Sequence, residues 1–141
     1  MNKASTKATK ARLLASAALW RNVYVGESDA EGEDSIGELL LAARHHISHL
    51  RSTLNPPHFT VDPAMLNLWA DASVPDAEAL ANILQTGTLY GSARRVREQV
   101  AELRDAGVRH LLCQTGFGEI AHGRVMASAR RFAETVMPAF R

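Results

Sequence analysis

Three short apolar runs divide the chain, and the segments between them repeat apolar residues at helical spacing. The runs lie at residues 22–26, 88–91 and 108–114, and a glycine ends or closely follows each of them. Short apolar runs bounded by glycine are typical of buried strands. The third run has a continuous apolar centre around Cys113, so we expect a parallel strand covered on both faces, with Cys113 as a small core residue.

Helical periodicity predicts four helices in the remaining segments. Ser28 and Glu31 have the spacing of a capping box before a long helix over residues 29–54,. Asp76 is a plausible N-cap for the next helix and Ser92 for the third, because short polar side chains bond the free N–H groups of a first turn. Glycines or prolines end these helices, at Asn55-Pro56-Pro57, Gly87, Gly107 and Pro138,. Strands that alternate with helices indicate an α/β fold.

Two segments fall outside this alternation. Residues 1–20 form a basic, acid-free lead-in, for which we expect a helix that ends near Trp20 or a frayed segment; an organelle-targeting presequence is the alternative,. Residues 55–75 are expected to be an irregular surface excursion, with a short helix opened by Pro63,. The domain itself is predicted to cover residues 21–141.

Composition narrows the class of protein. The 141 residues are 46% hydrophobic and 22% charged, which excludes disorder for most of the chain, and a single cysteine excludes a disulfide framework,. A formal charge of +1 is too small for a nucleic-acid-binding surface, so no nucleic-acid partner is expected,. No apolar stretch is long enough for a membrane span, so we expect a cytoplasmic protein with no membrane partner,.

The last third of the chain resembles a known family. The similar residues are Gly91-Ser92, Val96, Ala106-Gly107-Val108, Gln114, Phe117-Gly118, His122, residues 128–134 and Val136-Met137-Pro138. They resemble the C-terminal end of the luciferase-like, flavin-dependent monooxygenases, and residues 21–31 resemble a late-barrel strand and helix start of that family. Two positions depart from the family's usual pattern: Ala93 stands where proline is usual, and Ala129 where methionine is common.

The resemblance implies a flavin-dependent oxidoreductase built on a (β/α)₈ TIM barrel. Such enzymes bind FMN, or the deazaflavin F420 in one branch, and use O₂ to oxidise a small organic substrate; a flavin reductase is the expected source of reduced flavin. A barrel needs about 250 residues, so the three βα units here imply the C-terminal portion of an enzyme, without turnover alone. The alternative is a non-catalytic half-barrel that forms a homo-oligomer or pairs with a separate front half.

The loop 115–123 is the best candidate for a functional site, because barrel enzymes place their active sites at the carboxyl ends of the strands. Gln114 is a candidate amide donor to a flavin carbonyl, Gly116 allows backbone approach, and Phe117 offers an apolar surface to the ring or substrate. The alternative is that the glycines only form a tight turn. His122 is a candidate proton donor or helix cap, and the structural role is favoured.

Two further clusters carry charge or metal-ligating groups. Ser92, Arg94 and Arg95, with Arg97 nearby, lie at a helix start where positive charge opposes the helix dipole, which suggests a phosphate-type anion site,. A solvated face with Arg94 paired to Glu98 is favoured over an anion site.

The group His45, His46 and His49 has two imidazoles at i, i+4 spacing but lacks the adjacent glutamate of a zinc site, so surface histidines are favoured and no metal is expected,.

Overall fold

The computed structural model describes Thr9, Arg12 and residues 16–54 and 71–140. In chain order, its elements are β1 (Ala18–Val25), α1 (Asp29–Leu54), α2 (Asp76–Gly87), β2 (Thr88–Gly91), α3 (Ala93–Asp105), β3 (His110–Gln114) and α4 (His122–Arg131). A π-helical turn (Phe132–Val136) and a 3₁₀ turn (Met137–Phe140) continue α4. The predicted α/β class is therefore confirmed.

The described strands form one parallel sheet with β1 in the centre, in the order β2-β1-β3. Residues 22–25 at the carboxyl end of β1 pair with residues 88–91, whereas residues 18–22 at its amino end pair with residues 110–114. The two outer strands are therefore staggered along β1. Because β3 ends at the level of Asn22, it does not reach the last residues of the central strand.

Two apolar clusters lie on opposite faces of the sheet, since successive side chains of a strand point to opposite sides. The first combines Val23, Val25, Leu89, Val96 and Val136 with α3 and the turns after α4. The second combines Tyr24, Tyr90, Ile36, Leu40 and Phe117, with side chains of α2 packed against it. Helices thus pack on both faces of the sheet at β1 and β2, as in doubly wound sheets, whereas a (β/α)₈ barrel has an outer ring of helices alone.

Strand β1 is longer than its local sequence predicts. Of the predicted lead-in helix, Thr9, Arg12 and Ser16 are helical, but its expected end near Trp20 is wrong, because β1 begins at Ala18. The amino half of β1 is fixed by pairing with β3, about 90 residues later. Local periodicity does not report such a pairing. The short helix expected after Pro63 lies outside the described residues.

Strand β3 is shorter and more exposed than predicted. It begins at His110 instead of Val108, and the expectation that both its faces are covered is wrong. Leu112 is 55% exposed and Cys113 is also exposed, so Cys113 is not the core residue that the apolar run indicated. The reason is topological: β3 is an edge strand in the described sheet.

Three predicted helix ends agree with the structure, and the one predicted at Asp76 does not. The Oγ of Ser28 accepts from the N–H of Glu31 at 3.1 Å, and the Oγ of Ser92 accepts from that of Arg95 at 3.3 Å, so both predicted caps are confirmed. Gly107 adopts the expected left-handed conformation, with φ of 105°. The expectation for Asp76 is wrong: Pro75 occupies the N-cap of α2, with no side-chain cap bond. No described helix is long and apolar enough to cross a membrane.

Candidate functional site at the carboxyl edge of the sheet

The carboxyl ends of β1 and β2 are held together by close backbone contacts. The N–H of Gly26 donates to the carbonyl of Gly91 at 2.8 Å. Gly32, at the end of the first turn of α1, lies so close that a Cβ there would come within 2.6 Å of the Gly91 Cα. Gly91 itself has a φ of 116°, which favours glycine. These three glycines bring the start of α1 directly onto the edge at which βα loops emerge.

The loop after β3 lies at the same edge, as the sequence predicts for parallel strands. The amide Nε2 of Gln114 donates to the carbonyl of Gly116 at 3.1 Å, so this amide bonds within its own loop. Phe117 is 9% exposed and packs in the second apolar cluster, so its ring belongs to the core instead of offering a free surface. Gly118 has a φ of 61°, and a Cβ there would lie 2.7 Å from the Leu39 carbonyl oxygen.

Gly116 differs from Gly118 in the space that a side chain would find among the described residues. Apart from its chain neighbours, a Cβ at Gly116 would meet no atom of the described residues within 4 Å, and the φ of Gly116 is not positive. Packing therefore requires glycine at 118 but not at 116. Of the predicted cofactor-binding residues, Gly116 is exposed, Gln114 is half-buried and Phe117 is buried, and the flavin contacts stay a prediction.

The predicted anion site at the start of α3 is occupied by protein carboxylates. The Oδ1 of Asp29 accepts from the N–H of Ser92 at 2.8 Å, and Arg94 lies 3.5 Å from Asp29 and 2.9 Å from Glu98. Hydrogen bonds with Ser92, supported by the nearby arginines, lower the pKa of Asp29. An internal anion thus satisfies the helix start, and the geometry supports the paired, solvated face.

Arg95 is likewise engaged within the protein. Its guanidinium lies 4.5 Å from the centre of the Tyr90 ring and donates to the Tyr90 hydroxyl at 3.2 Å. It also lies 3.4 Å from Glu33. Stacking on an aromatic ring and pairing with a carboxylate fix the side chain against α1.

A polar cluster at the end of β1 escaped the sequence reasoning. The Oε1 of Glu31 accepts from the Tyr24 hydroxyl at 2.9 Å and from Ser35 at 3.0 Å. Nη2 of Arg124 reaches the Tyr24 hydroxyl at 3.0 Å, Glu31 at 3.2 Å and Ser35 at 2.5 Å. The sequence marks Glu31 only as a capping residue, and no local pattern links it to Arg124 on α4.

The protonation states of this cluster are set by its hydrogen bonds. Partial burial opposes ionisation of Glu31, but hydrogen bonds from Tyr24, the Glu27 N–H, Ser35 and Arg124 outweigh it and lower the pKa of the carboxyl. The bond with Tyr24 raises the pKa of Arg124. Glu31 is therefore a fixed anion and Arg124 a fixed cation at this edge.

Helix α4 is joined to β1 by a second set of contacts. The buried Oγ of Ser128 accepts from the N–H of Val25 at 2.8 Å, at a level that β3 does not reach. Arg131 donates to the Val25 carbonyl at 3.4 Å and to Glu27 at 2.6 Å. Ser128 thus satisfies a buried N–H that a longer neighbouring strand would otherwise bond.

The histidines that the sequence singles out take no part in the cluster of Glu31 and Arg124. His45, His46 and His49 are exposed on α1, and Nε2 of His45 bonds Asp76 at 2.7 Å. Asp76 also bonds the buried Arg44. His122 is the first residue of α4 and exposed, and no side chain caps that helix. In the described part of the chain, no three metal-ligating side chains are grouped.

Although Cys113 is exposed, neighbouring protein atoms partly desolvate its thiol and raise its pKa, which disfavours the reactive thiolate. The structure therefore gives no support for a nucleophilic role of this exposed cysteine.

Comparison with known proteins adds no family assignment. A scan against protein-family models found no match, and a search of curated proteins found no significant similarity.

Proposed function

We propose that the chain is the C-terminal portion of a luciferase-like, flavin-dependent oxidoreductase that uses O₂ on a small organic substrate. The observation that carries the proposal is where the residues of the family resemblance lie. Three of these residues shape the carboxyl edge of the sheet. Gly91 has a positive φ, and Gly118 lies close to the backbone of Leu39. Ser128 accepts a buried hydrogen bond from the N–H of Val25. Ligands of α/β proteins bind at this edge.

The described residues fit a flavin only in part. Gln114 and Phe117 are engaged within the protein, whereas the backbone beside Gly116 is open. A flavin ring at this loop would therefore meet the backbone of Gly116. FMN is the proposed cofactor, with F420 as the less favoured choice; such a cofactor would supply the electrons for the reaction with O₂. Most of the remaining contacts would come from barrel strands other than β1, β2 and β3.

Titration of the purified chain with FMN tests this proposal. We expect the fluorescence of FMN to be quenched with saturation below about 1 mM. Gly116→Leu should abolish the quenching, because its side chain enters open space beside the loop and leaves the fold intact. The control is Ala121→Leu, at an exposed position of the same loop. Absence of saturable quenching, or equal quenching in Gly116→Leu and wild type, would contradict the proposal.

The strand order of this sheet differs from the order that a (β/α)₈ barrel requires. Consecutive strands of a (β/α)₈ barrel are neighbours, so β3 would pair with β2, whereas here β3 pairs with β1. Within the proposal, joining the missing strands would exchange the β1–β3 pairing for a β2–β3 pairing. This exchange predicts that the separate chain and the completed barrel differ in strand order.

The second candidate function is a non-catalytic module that pairs with another copy or with a separate front half. It is favoured by Trp20 and Leu112, which are register partners and are 51% and 55% exposed. Exposed apolar side chains beside an unpaired edge strand promote association. Light scattering on the purified chain tests this function, and a monodisperse monomer would refute pairing with a second copy.

Lysine on an edge strand opposes strand pairing, so Leu112→Lys should dissociate an oligomer formed through β3. Met126→Lys is the matched control, because Met126 is 48% exposed on α4 instead of on the sheet. If both variants dissociate the oligomer equally, the interface does not involve β3.

A further inference from the structure

A cleft of about 270 Å³ lies between α4 and the end of β1. Its α4 side consists of Gly123, Arg124, Ala127 and Arg131, and Glu27 is among the residues on the opposite side. The positions on α4 lie on one helix face. Gly123 and Ala127 leave room between the two arginines, and a Cβ at Gly123 would meet no described atom within 4 Å outside its own helix backbone. The cleft is below the volume of about 300–1,000 Å³ typical of drug-sized ligands, so it suits a small group.

Arg124 offers unused donors to this cleft. Its hydrogen bonds to Tyr24, Glu31 and Ser35 all use Nη2. These contacts fix the plane of the guanidinium and leave Nη1 and Nε without a partner in the described part of the chain. Either of these two nitrogens can donate an N–H to an oxygen of an entering oxyanion, as a charge-assisted hydrogen bond.

Arg131 is held by a partner that is readily displaced. Its ion pair with Glu27 is 2.6 Å long, but the Glu27 side chain is 79% exposed. Exposed ion pairs contribute little to stability, because water and salt screen them. Glu31, in contrast, is fixed by several hydrogen bonds. An entering anion would therefore displace Glu27 and not Glu31.

We propose that this cleft binds a small oxyanion, a carboxylate or a phosphate group, between Arg124 and Arg131. The anion replaces Glu27 as the partner of Arg131 and accepts from one free N–H of Arg124. Binding neutralises the positive charge that displacement of Glu27 leaves. The site requires no flavin, so its test is independent of the test of the proposed oxidoreductase function.

Amide NMR spectra of the full chain, titrated with sodium acetate and with sodium phosphate at constant ionic strength, test the proposal. We expect the amide signals of Gly123 and Ala127 to shift with saturation at millimolar concentrations. The better-bound probe identifies the oxyanion as planar or tetrahedral. Sodium chloride serves as the reference for non-specific salt effects.

Three variants separate the site from general charge effects. Arg131→Gln should weaken binding about tenfold, since it removes charge-assisted hydrogen bonds. Glu27→Gln should strengthen binding, because it removes the competing carboxylate. Arg130→Gln, which removes the same charge from an exposed position of α4 outside the cleft lining, should leave binding unchanged.

Gly123→Leu keeps the test valid if Arg131→Gln does not fold. Its side chain fills the open cleft without meeting protein atoms at Cβ, so it should abolish binding. The proposal is overturned if acetate and phosphate act only as chloride does. It is also overturned if Arg130→Gln weakens binding as much as Arg131→Gln, or if Glu27→Gln weakens it.

Discussion

Replacing Arg21 by cysteine tests the strand order of the described sheet. Arg21 on β1 and Cys113 on β3 are register partners, and Cys113 is exposed and free. Neighbouring strands lie about 4.8 Å apart, within the Cα separation of about 4.4–6.8 Å that a disulfide needs. With barrel order, β2 would separate the two residues by about 9.6 Å, which no disulfide spans. We therefore expect Arg21→Cys to form an intramolecular disulfide with Cys113.

The effect of this disulfide on stability follows from the loop that it closes. The bond joins positions about 90 residues apart, for which the chain-entropy model gives about 4.6 kcal/mol in the free energy of unfolding. For a domain of this size, that corresponds to a rise in Tm of about 10–20 °C. Strain in the disulfide would reduce this gain but would not prevent the bond from forming.

The assay combines mild oxidation, peptide mass spectrometry and thermal unfolding with and without reductant. Trp20→Cys is the matched control, because Trp20 is the register partner of Leu112 and points to the opposite face from Cys113,. An Arg21→Cys chain whose thiols stay free after oxidation would refute the β1–β3 pairing. Equal cross-linking in Trp20→Cys would show that oxidation does not report the register.

Three further predictions concern the contacts that hold the carboxyl edge together. Ser128→Ala should lower the free energy of unfolding by about 1–3 kcal/mol in denaturant titrations, because it leaves a buried N–H unbonded; an unchanged midpoint would contradict this. Gly32→Ala should cost about 1–3 kcal/mol through backbone overlap, whereas Gly37→Ala on the same helix, with only an ordinary contact at 3.7 Å, should gain about 0.5–1 kcal/mol,; equal signs would refute the packing argument. The pKa of Glu31 is lowered by folding, so its contribution is present above its ordinary value of 4.5 and is lost as the pH falls through the lower folded pKa,. Glu31→Gln should therefore flatten the loss of stability in acid, measured by unfolding between pH 6 and pH 2, whereas the exposed Glu38→Gln should not.

The sequence by itself determined the helices α1 to α4 and the class of the fold. The long helix α1, the caps at Ser28 and Ser92 and the left-handed Gly107 agree with the structure. Each of these features depends on residues within about four positions of one another. Helix caps and helical periodicity both arise from contacts at that separation, so the sequence pattern predicts them. The sequence also located the loop after β3 at the carboxyl edge, because parallel strands end on the same side.

Only the tertiary structure decided which strands pair and which side chains meet. The position of β3 at the edge left Cys113 exposed despite its apolar neighbours, and the pairing of β1 with β3 extended β1 back to Ala18. The cluster of Glu31 with Arg124 joins residues 93 positions apart. Such contacts depend on how elements pack after they form, and a single sequence carries no short-range signal of them. The direction of a side chain in a loop, as for Phe117, is likewise set by the core that receives it.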